Sequence, residues 1–199
     1  MEAAVELNGG ANVTLGAGGT TSIFILSLPT NHVTLRNLIL LNGNAMRNPA
    51  RGGAILVVAG WLDLSHCLFE GNLAAEGGAL AMLGGSMAAA DTTFAHSAAS
   101  GRGGAAWLKH GQARFTTCTF EHCRAEQTGG ALAVIGSATF DVSHSTFVHC
   151  EAIHGVGAAI DYQPSEAVEL EPRIDNAKFY DNSGLSTVSA AAYVNWICS

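Results

Sequence analysis

Three histidines recur at one position of a repeated motif and could supply nitrogen ligands to a metal ion. His96, His122 and His149 each follow a phenylalanine by two residues, and Asp181 follows Phe179 in the same way. Imidazoles about one strand spacing apart could share Zn²⁺ or Cu²⁺, which bind nitrogen at about 2.0–2.1 Å. Stacked side chains point in parallel rather than converging, so a solvent-facing histidine ladder is the default interpretation. We therefore predict no metal and no other cofactor, with these four residues as the alternative metal column.

The chain contains five cysteines: Cys67, Cys118, Cys123, Cys150 and Cys198. Cys123 and Cys150 occupy the same position of consecutive motifs, which would place their Cα atoms within the range that a disulfide allows. Parallel Cβ directions make the disulfide dihedral awkward. An odd count without framework spacing favours free thiols that are buried or packed at turns.

Carboxylates are the groups that a polysaccharide lyase or glycosidase would need, clustered in one groove. Asp63 and Asp141 both lie six residues before the aromatic position, but Ala88 and Arg114 occupy that position in the motifs between them. The sequence also contains no nucleophile elbow, no phosphate-binding glycine loop before a helix and no CxxC pair. An enzyme is therefore the less favoured class.

The motif that positions these residues repeats through most of the chain. Steps of 25, 26 and 27 residues separate Phe69, Phe94, Phe120 and Phe147. A period of this size is typical of a solenoid, in which each repeat buries its apolar face against its neighbours. The full aromatic column that we predict is Ile39, Phe69, Phe94, Phe120, Phe147 and Phe179.

Other residue types recur in the same register. Three residues after the aromatic position the column is Asn42, Asn72, Ser97, Cys123, Cys150 and Asn182, and five residues after it come Ala74, Ala99, Ala125 and Ala152. Paired glycines followed by alanine begin at Gly52, Gly77, Gly103 and Gly129, with a looser copy ending in Gly157-Ala158-Ala159-Ile160. We expect the glycines at a tight corner, the alanines where the cross-section narrows and the phenylalanines in an internal stack.

Short β-branched and aliphatic runs, separated by Gly, Asn and Pro, predict strands rather than helices. In one motif they are 54–58, 61–64 and 67–69. Three short strands per repeat predict an all-β chain, a right-handed parallel β-helix of about six coils with roughly 25–27 residues per coil. A leucine-rich repeat is the alternative fold, since 62–72 resembles its consensus, but the paired glycines and the second strand-like run argue against it.

We expect one domain over residues 1–199. It divides into an N-terminal coil at 1–42, regular coils at 43–160, and a last coil at 161–199 that carries an acidic insertion. Insertions in solenoids map to loops and often to binding faces. The candidate interaction residues are therefore Pro164, Glu166, Glu169, Glu171 and Pro172.

Composition limits the possible partners. The net charge is −7, with nine Lys plus Arg and no basic stripe, which disfavours nucleic-acid binding. No apolar run is long enough to cross a bilayer, and Met1-Glu2-Ala3-Ala4 lacks the features of a signal peptide. The chain stops at Cys198-Ser199 without a polar cap, so we expect a fragment of a longer protein or a subunit whose ends are covered.

The alternating Gly-Gly-Ala-[Ile/Leu] and Phe-x-x-Asn motifs resemble the repeats of the chlamydial polymorphic outer membrane protein family. The resemblance covers roughly residues 37–182, with the glycine motif at 52–55, 77–80 and 129–132 and the second motif at 69–72 and 179–182. Ser97, Cys123 and Cys150 depart from the asparagine. The resemblance implies a surface-exposed β-helical adhesin, and favours the cell surface or an organelle lumen over the cytosol.

The leading functional hypothesis is a non-enzymatic interaction module, either adhesin-like or a scaffold subunit in a larger assembly. It would bind another protein through one face of the β-helix, with the acidic insertion as a second contact. The alternative is a carbohydrate-active enzyme, a polysaccharide lyase or glycosidase, or a module that binds glycans. Fold alone does not decide between these classes.

Overall fold

Short parallel strands stacked in register build the whole of the described chain, which forms a β-solenoid of about six turns and confirms the predicted fold class. The computed structural model describes residues 3–47, 50–164 and 172–190. Within these ranges there is no helix, and so none with the length and apolarity that a membrane crossing requires. Successive coils pair through their backbones, so equivalent residues form columns along the axis.

Strand β1 (Ala3–Gly16) pairs with β3 of the first coil. The first coil comprises β2 (Phe24–Leu26), β3 (Asn31–Leu41) and β4 (Asn44–Ala45). The second coil comprises β5 (Ile55–Val57), β6 (Trp61–Ser65), β7 (Leu68–Glu70) and β8 (Leu73–Ala74). The third and fourth coils comprise β9 (Leu80–Met82), β10 (Ser86–Ala90), β11 (Thr93–Ala95), β12 (Ala98–Ala99), β13 (Ala106–Thr116), β14 (Thr119–Glu121) and β15 (Arg124–Ala125). The remaining strands are β16 (Leu132–Ser143), β17 (Thr146–Val148), β18 (Glu151–Ala152), β19 (Ile160–Pro164), β20 (Arg173–Asp175), β21 (Lys178–Tyr180) and β22 (Val188–Ala190).

Each of the first five coils has four strand segments, which we call a, b, c and d. In the second coil they are β5, β6, β7 and β8, in that order. In the fourth and fifth coils segments a and b run together as β13 and β16. The prediction of three strands per coil was incomplete, because segment d forms its own five-stranded sheet of two-residue strands.

The interior contains the predicted phenylalanine column. Phe69, Phe94, Phe120 and Phe147 are fully buried, and the rings of neighbouring coils stack with centroids 4.6–5.0 Å apart. Phe115, from segment b, meets the stack edge-on at 5.4 Å from Phe120. These contacts add to burial, since offset and edge arrangements are favourable for aromatic rings. The alanine column Ala74, Ala99, Ala125 and Ala152 is buried in segment d.

The first coil is one residue out of the predicted register. Leu40, not Ile39, pairs with Phe69 and continues the aromatic column, and Leu40 is fully buried. Gly43 therefore stands level with Asn72, and Asn42 lies one position earlier than we predicted. The apolar run 38–41 contains no alternation that could fix the register from sequence, whereas burial of every second residue fixes it in the structure.

The paired glycines form the corner between segments d and a. Gly129 has φ +66°, which glycine adopts without a Cβ penalty. A Cβ on Gly130 would lie 2.0 Å from the carbonyl oxygen of Ala158, too close for any side chain. The first glycine therefore supplies the turn and the second allows the backbones of neighbouring coils to touch.

Two further corners use left-handed residues that, except for Gly71, are not glycine. The corner between segments b and c places Asn37, His66, Asp91, Thr117, His144 and Asn176 at φ between 48° and 55°. The corner between segments c and d places Asn42, Gly71, His96, His122, His149 and Asp181 at φ between 49° and 63°. Asn, Asp, His and Gly tolerate this conformation better than other residues, so backbone geometry explains both columns.

Thr117 is the one β-branched residue in these two columns, and its side chain is exposed. We expect Thr117→Asn to raise the free energy of unfolding by about 1 kcal/mol, because the left-handed region is costly for a β-branched residue. Urea denaturation would measure the gain. Thr119→Asn, two residues later in strand β14, is the control and should destabilise instead. Equal effects at the two positions would contradict the explanation.

Candidate functional site

The histidine column lies on the solvent side of the corner between segments c and d. His96, His122 and His149 are exposed, and neighbouring rings stack at centroid distances of 4.9 Å with interplanar angles of 5° and 19°. Nitrogen lone pairs lie in the ring planes, so stacked rings do not aim them at a common point. Asp181 continues the column at the corner of the sixth coil. The column is thus a ladder fixed by its backbone conformation.

Metal-ligating residues are scattered over the rest of the described chain. In residues 3–47, 50–164 and 172–190, no three or more His, Cys, Asp or Glu side chains are grouped so as to hold a metal ion. Single pairs do occur, such as the His32 imidazole at 2.7 Å from the Asp63 carboxylate.

Behind the exposed histidines lies a buried polar column that ties one coil to the preceding one. The Asn72 carboxamide accepts a hydrogen bond from the Gly43 amide at 2.8 Å and donates to the Leu40 carbonyl at 3.0 Å. Asn182 repeats both contacts with Cys150 and Phe147. Each asparagine therefore satisfies two backbone groups at a corner that strand pairing leaves open.

Two cysteines replace asparagine in this column. The Cys123 thiol donates to the Phe94 carbonyl at 3.3 Å, and the Cys150 thiol donates to the Phe120 carbonyl at 3.5 Å. These carbonyls are the equivalents of the one that Asn72 contacts. Four cysteines of the described chain, Cys67, Cys118, Cys123 and Cys150, are buried free thiols, as the sequence predicted. Cys198 lies outside the described residues.

Burial changes the acidity of these thiols. Desolvation raises the pKa of Cys118 to about 11 and also raises the pKa of Cys67 and of Cys123. A buried thiol of high pKa is a poor nucleophile, because the thiolate is the reactive form. Cys67, Cys118 and Cys123 therefore act in packing and in hydrogen bonding to backbone carbonyls. The hydrogen bond with the Cys123 side chain instead lowers the pKa of the Cys150 thiol.

The predicted acidic contact falls mostly outside the described residues. Pro164 ends strand β19, and Pro172 is buried just before strand β20. Glu166, Glu169 and Glu171 are not described. The structure thus describes the two ends of the insertion. The role of its three glutamates as contact residues stays a prediction.

A groove, which we call the b groove, crosses the outer face of segment b with a cavity volume of about 340 Å³. Ala88 forms part of its floor, because the third coil presents only small outward residues where its neighbours present long ones. A second depression of about 350 Å³ shares Asp63, Ala88 and Arg114 with it. The large lining residues that are not buried are Trp61, Asp63, Gln112, Arg114, Asp141 and Arg173.

The carboxylates of the b groove do not form a glycosidase pair. Asp63 and Asp141 share one column, but they lie three coils apart, which is roughly 14 Å at the usual strand spacing. Paired catalytic carboxylates are roughly 5–9.5 Å apart. Arg114 pairs with Asp141 at 3.6 Å between Nε and Oδ2, so this carboxylate already faces a cation.

A second surface, which we call the d patch, consists of Met46, Leu73 and Ala98 on the outer side of segment d. Met46 and Leu73 are 48% and 40% exposed, and the three residues line a depression of about 200 Å³. Arg124 and Glu126 border it, and Arg124 also pairs with Glu151 at 3.4 Å. An apolar centre therefore lies beside a row of charged side chains.

Sequence reasoning missed both surfaces. Trp61 and Asp63 are outward residues of an alternating strand, so the period-2 pattern in 61–65 was a usable signal for the b groove. Met46 and Leu73 had no such signal, because segment d is only two residues long in each coil.

The asparagine column can be tested by substitution. Asn72→Leu should lower the free energy of unfolding by about 3 kcal/mol, because it leaves two buried backbone groups without partners. Asn72→Cys is the matched variant, since a thiol at this position in the fourth and fifth coils still donates to the equivalent carbonyl. It should cost about half as much in urea denaturation. Equal losses for the two variants would contradict the assigned role.

The raised pKa of Cys118 makes stability depend on pH. Its pKa of about 11 in the folded chain exceeds the usual thiol value of 9.0. The stability that the buried thiol contributes is therefore complete below pH 9 and is lost as the pH rises through 11. Cys118→Ser removes the titration, and Ser145 already occupies this position one coil later. Relative to that variant, the wild-type protein should lose about 2–3 kcal/mol between pH 9 and pH 11 in urea denaturation. A stability difference between the two proteins that stays constant from pH 9 to pH 11 would contradict this prediction.

Comparison of the chain with protein-family models, with curated proteins and with solved structures gave no match. The fold assignment therefore rests on the strand pairing itself.

Proposed function

We propose that this chain is a non-enzymatic interaction module that binds another protein through the d patch. The repeats resemble those of the polymorphic outer membrane proteins, which supports an adhesin-like module or a scaffold subunit. An adhesin and a scaffold subunit would both bind through a rigid surface of side chains held by the stacked coils. The partner is a protein whose apolar side chain fills the depression beside Leu73.

The observation that carries this proposal is the exposure of two large apolar side chains at fixed positions. Leu73 pairs with Ala98 of the next coil, and Met46 lines the same depression. The charged residues Arg124 and Glu126 follow in the coil after Ala98. Protein interfaces combine an apolar centre with a polar rim in this way. Contiguous exposed apolar surface marks contact sites, and Met46, Leu73 and Ala98 line one depression together.

Rigidity adds to the affinity that such a patch can reach. Leu73 pairs with Asn44 and with Ala98, so backbone hydrogen bonds on both sides hold the strand that carries it. A side chain held by the fold loses less conformational freedom on binding than one on a mobile loop. The d patch is therefore preorganised.

The acidic insertion is the proposed second contact. Pro164 and Pro172 fix its ends between segments a and b, on the side of the solenoid that carries the b groove. Its glutamates Glu166, Glu169 and Glu171 would recognise a basic surface. This contact remains a prediction from sequence.

A carbohydrate-active enzyme remains the alternative class, and the b groove is where its site would lie. The separation of Asp63 and Asp141 and the pairing of Asp141 with Arg114 favour binding over hydrolysis in this groove. A depolymerisation assay on soluble polysaccharides discriminates between the two classes, since only an enzyme shortens the chains.

Affinity purification from the native source tests the d patch. The tagged wild-type chain should recover one protein or complex in stoichiometric amount, and Leu73→Asp should reduce the recovery at least tenfold. Leu185→Asp is the matched control, because Leu185 is 80% exposed and lies outside the patch. Undiminished recovery with Leu73→Asp, in a protein whose urea midpoint is unchanged, would refute the proposed contact.

A further inference from the structure

We propose that the b groove binds an uncharged oligosaccharide, with Trp61 as the stacking platform. The inference goes beyond the protein contact proposed above, because the groove lies on segment b and the d patch on segment d.

The shape of the groove follows from one coil. In strand β10 the outward residues Ser86, Ala88 and Ala90 are small, whereas the neighbouring coils place Asp63 and Arg114 beside Ala88. The result is a depression of about 340 Å³ that crosses segment b from β6 to β20, with Ala88 in its floor and polar side chains in its walls. The second depression of about 350 Å³ lies beside it and shares Asp63, Ala88 and Arg114. A groove that crosses several strands fits an extended ligand better than a compact one.

Trp61 gives the groove an aromatic end. Its side chain is 58% exposed, and its only aromatic neighbour in the described residues is His32, tilted by 49° at 6.5 Å. One face of the indole is therefore free to pack against the C–H face of a sugar ring. Tryptophan provides large contact area at low entropic cost, because only two torsions are fixed on binding.

Polar side chains along the groove match the hydroxyl groups of a sugar. The Asp63 carboxylate lies on the same strand as Trp61, and its side chain is 46% exposed. It can accept a hydrogen bond from a ligand hydroxyl beside the one that it shares with the His32 imidazole. The Gln112 amide can donate and accept in the same groove.

The charge of the groove selects an uncharged ligand. Asp63 and Asp141 are balanced by Arg114 and Arg173, so the four charged side chains of the lining sum to zero. A polyanion would meet two carboxylates and a cationic peptide two guanidinium groups, and both would be disfavoured by like-charge contacts. Neutral sugars can accept hydrogen bonds from the arginines and donate to the aspartates.

Isothermal titration calorimetry with soluble polysaccharides tests this site. The probes are xyloglucan, galactomannan, arabinoxylan, a β-1,3-glucan and chitohexaose, with polygalacturonate and heparin as charged counterparts. We expect saturable binding of at least one neutral probe and none of the charged ones. Trp61→Ala should weaken this binding at least tenfold, and Ala88→Phe should abolish it by filling the floor.

Tyr180→Ala is the matched control, because Tyr180 is an aromatic residue 50% exposed on segment c. It should bind as the wild-type chain does, and so should Leu73→Asp, which separates this site from the protein contact. Three results would each overturn the proposal: no neutral probe binds, only charged probes bind, or both Trp61→Ala and Ala88→Phe, shown to be folded by urea denaturation, retain wild-type affinity.

Discussion

Backbone pairing between successive coils is the interaction on which the rest of the structure depends. Because every coil is held in register with the next, a residue type that recurs in sequence becomes a continuous column in space. The phenylalanine stack, the alanine column and the histidine ladder all follow from this one constraint. A solenoid has no other way to assemble long-range contacts, since each coil touches only its neighbours.

The corners satisfy the backbone groups that the strands leave open. Left-handed residues turn the chain on both sides of segment c, and the side chains of Asn72 and Asn182 bond to the coil before them. Where Cys123 and Cys150 replace asparagine, a thiol donates to the equivalent carbonyl. The sequence places histidines beside cysteines in a pattern that could indicate a functional site. The structure explains the exposed histidines by the left-handed corner and the buried cysteines by their hydrogen bonds.

The sequence predicted the fold well because its signals repeat. Phe94 and Phe120 could be aligned from spacing alone, and the paired glycines marked a corner that the structure confirms. The register of the first coil was wrong at Ile39, because an apolar run carries no alternation. The surface sites could not be found from the repeats. The b groove depends on small residues in one coil beside long ones in its neighbours, and an alignment of repeats shows conserved positions rather than such differences.

Inward and outward residues alternate along segment b, so core positions and surface positions can be substituted independently. Met87 and Ala89 face the interior, whereas Ser86, Ala88 and Ala90 face outward and line or border the groove. Substitution at the outward positions can therefore change the shape and charge of the b groove while the packed positions between them stay as they are. The repeat thus lets the surface change one residue at a time, largely uncoupled from the stability of the core.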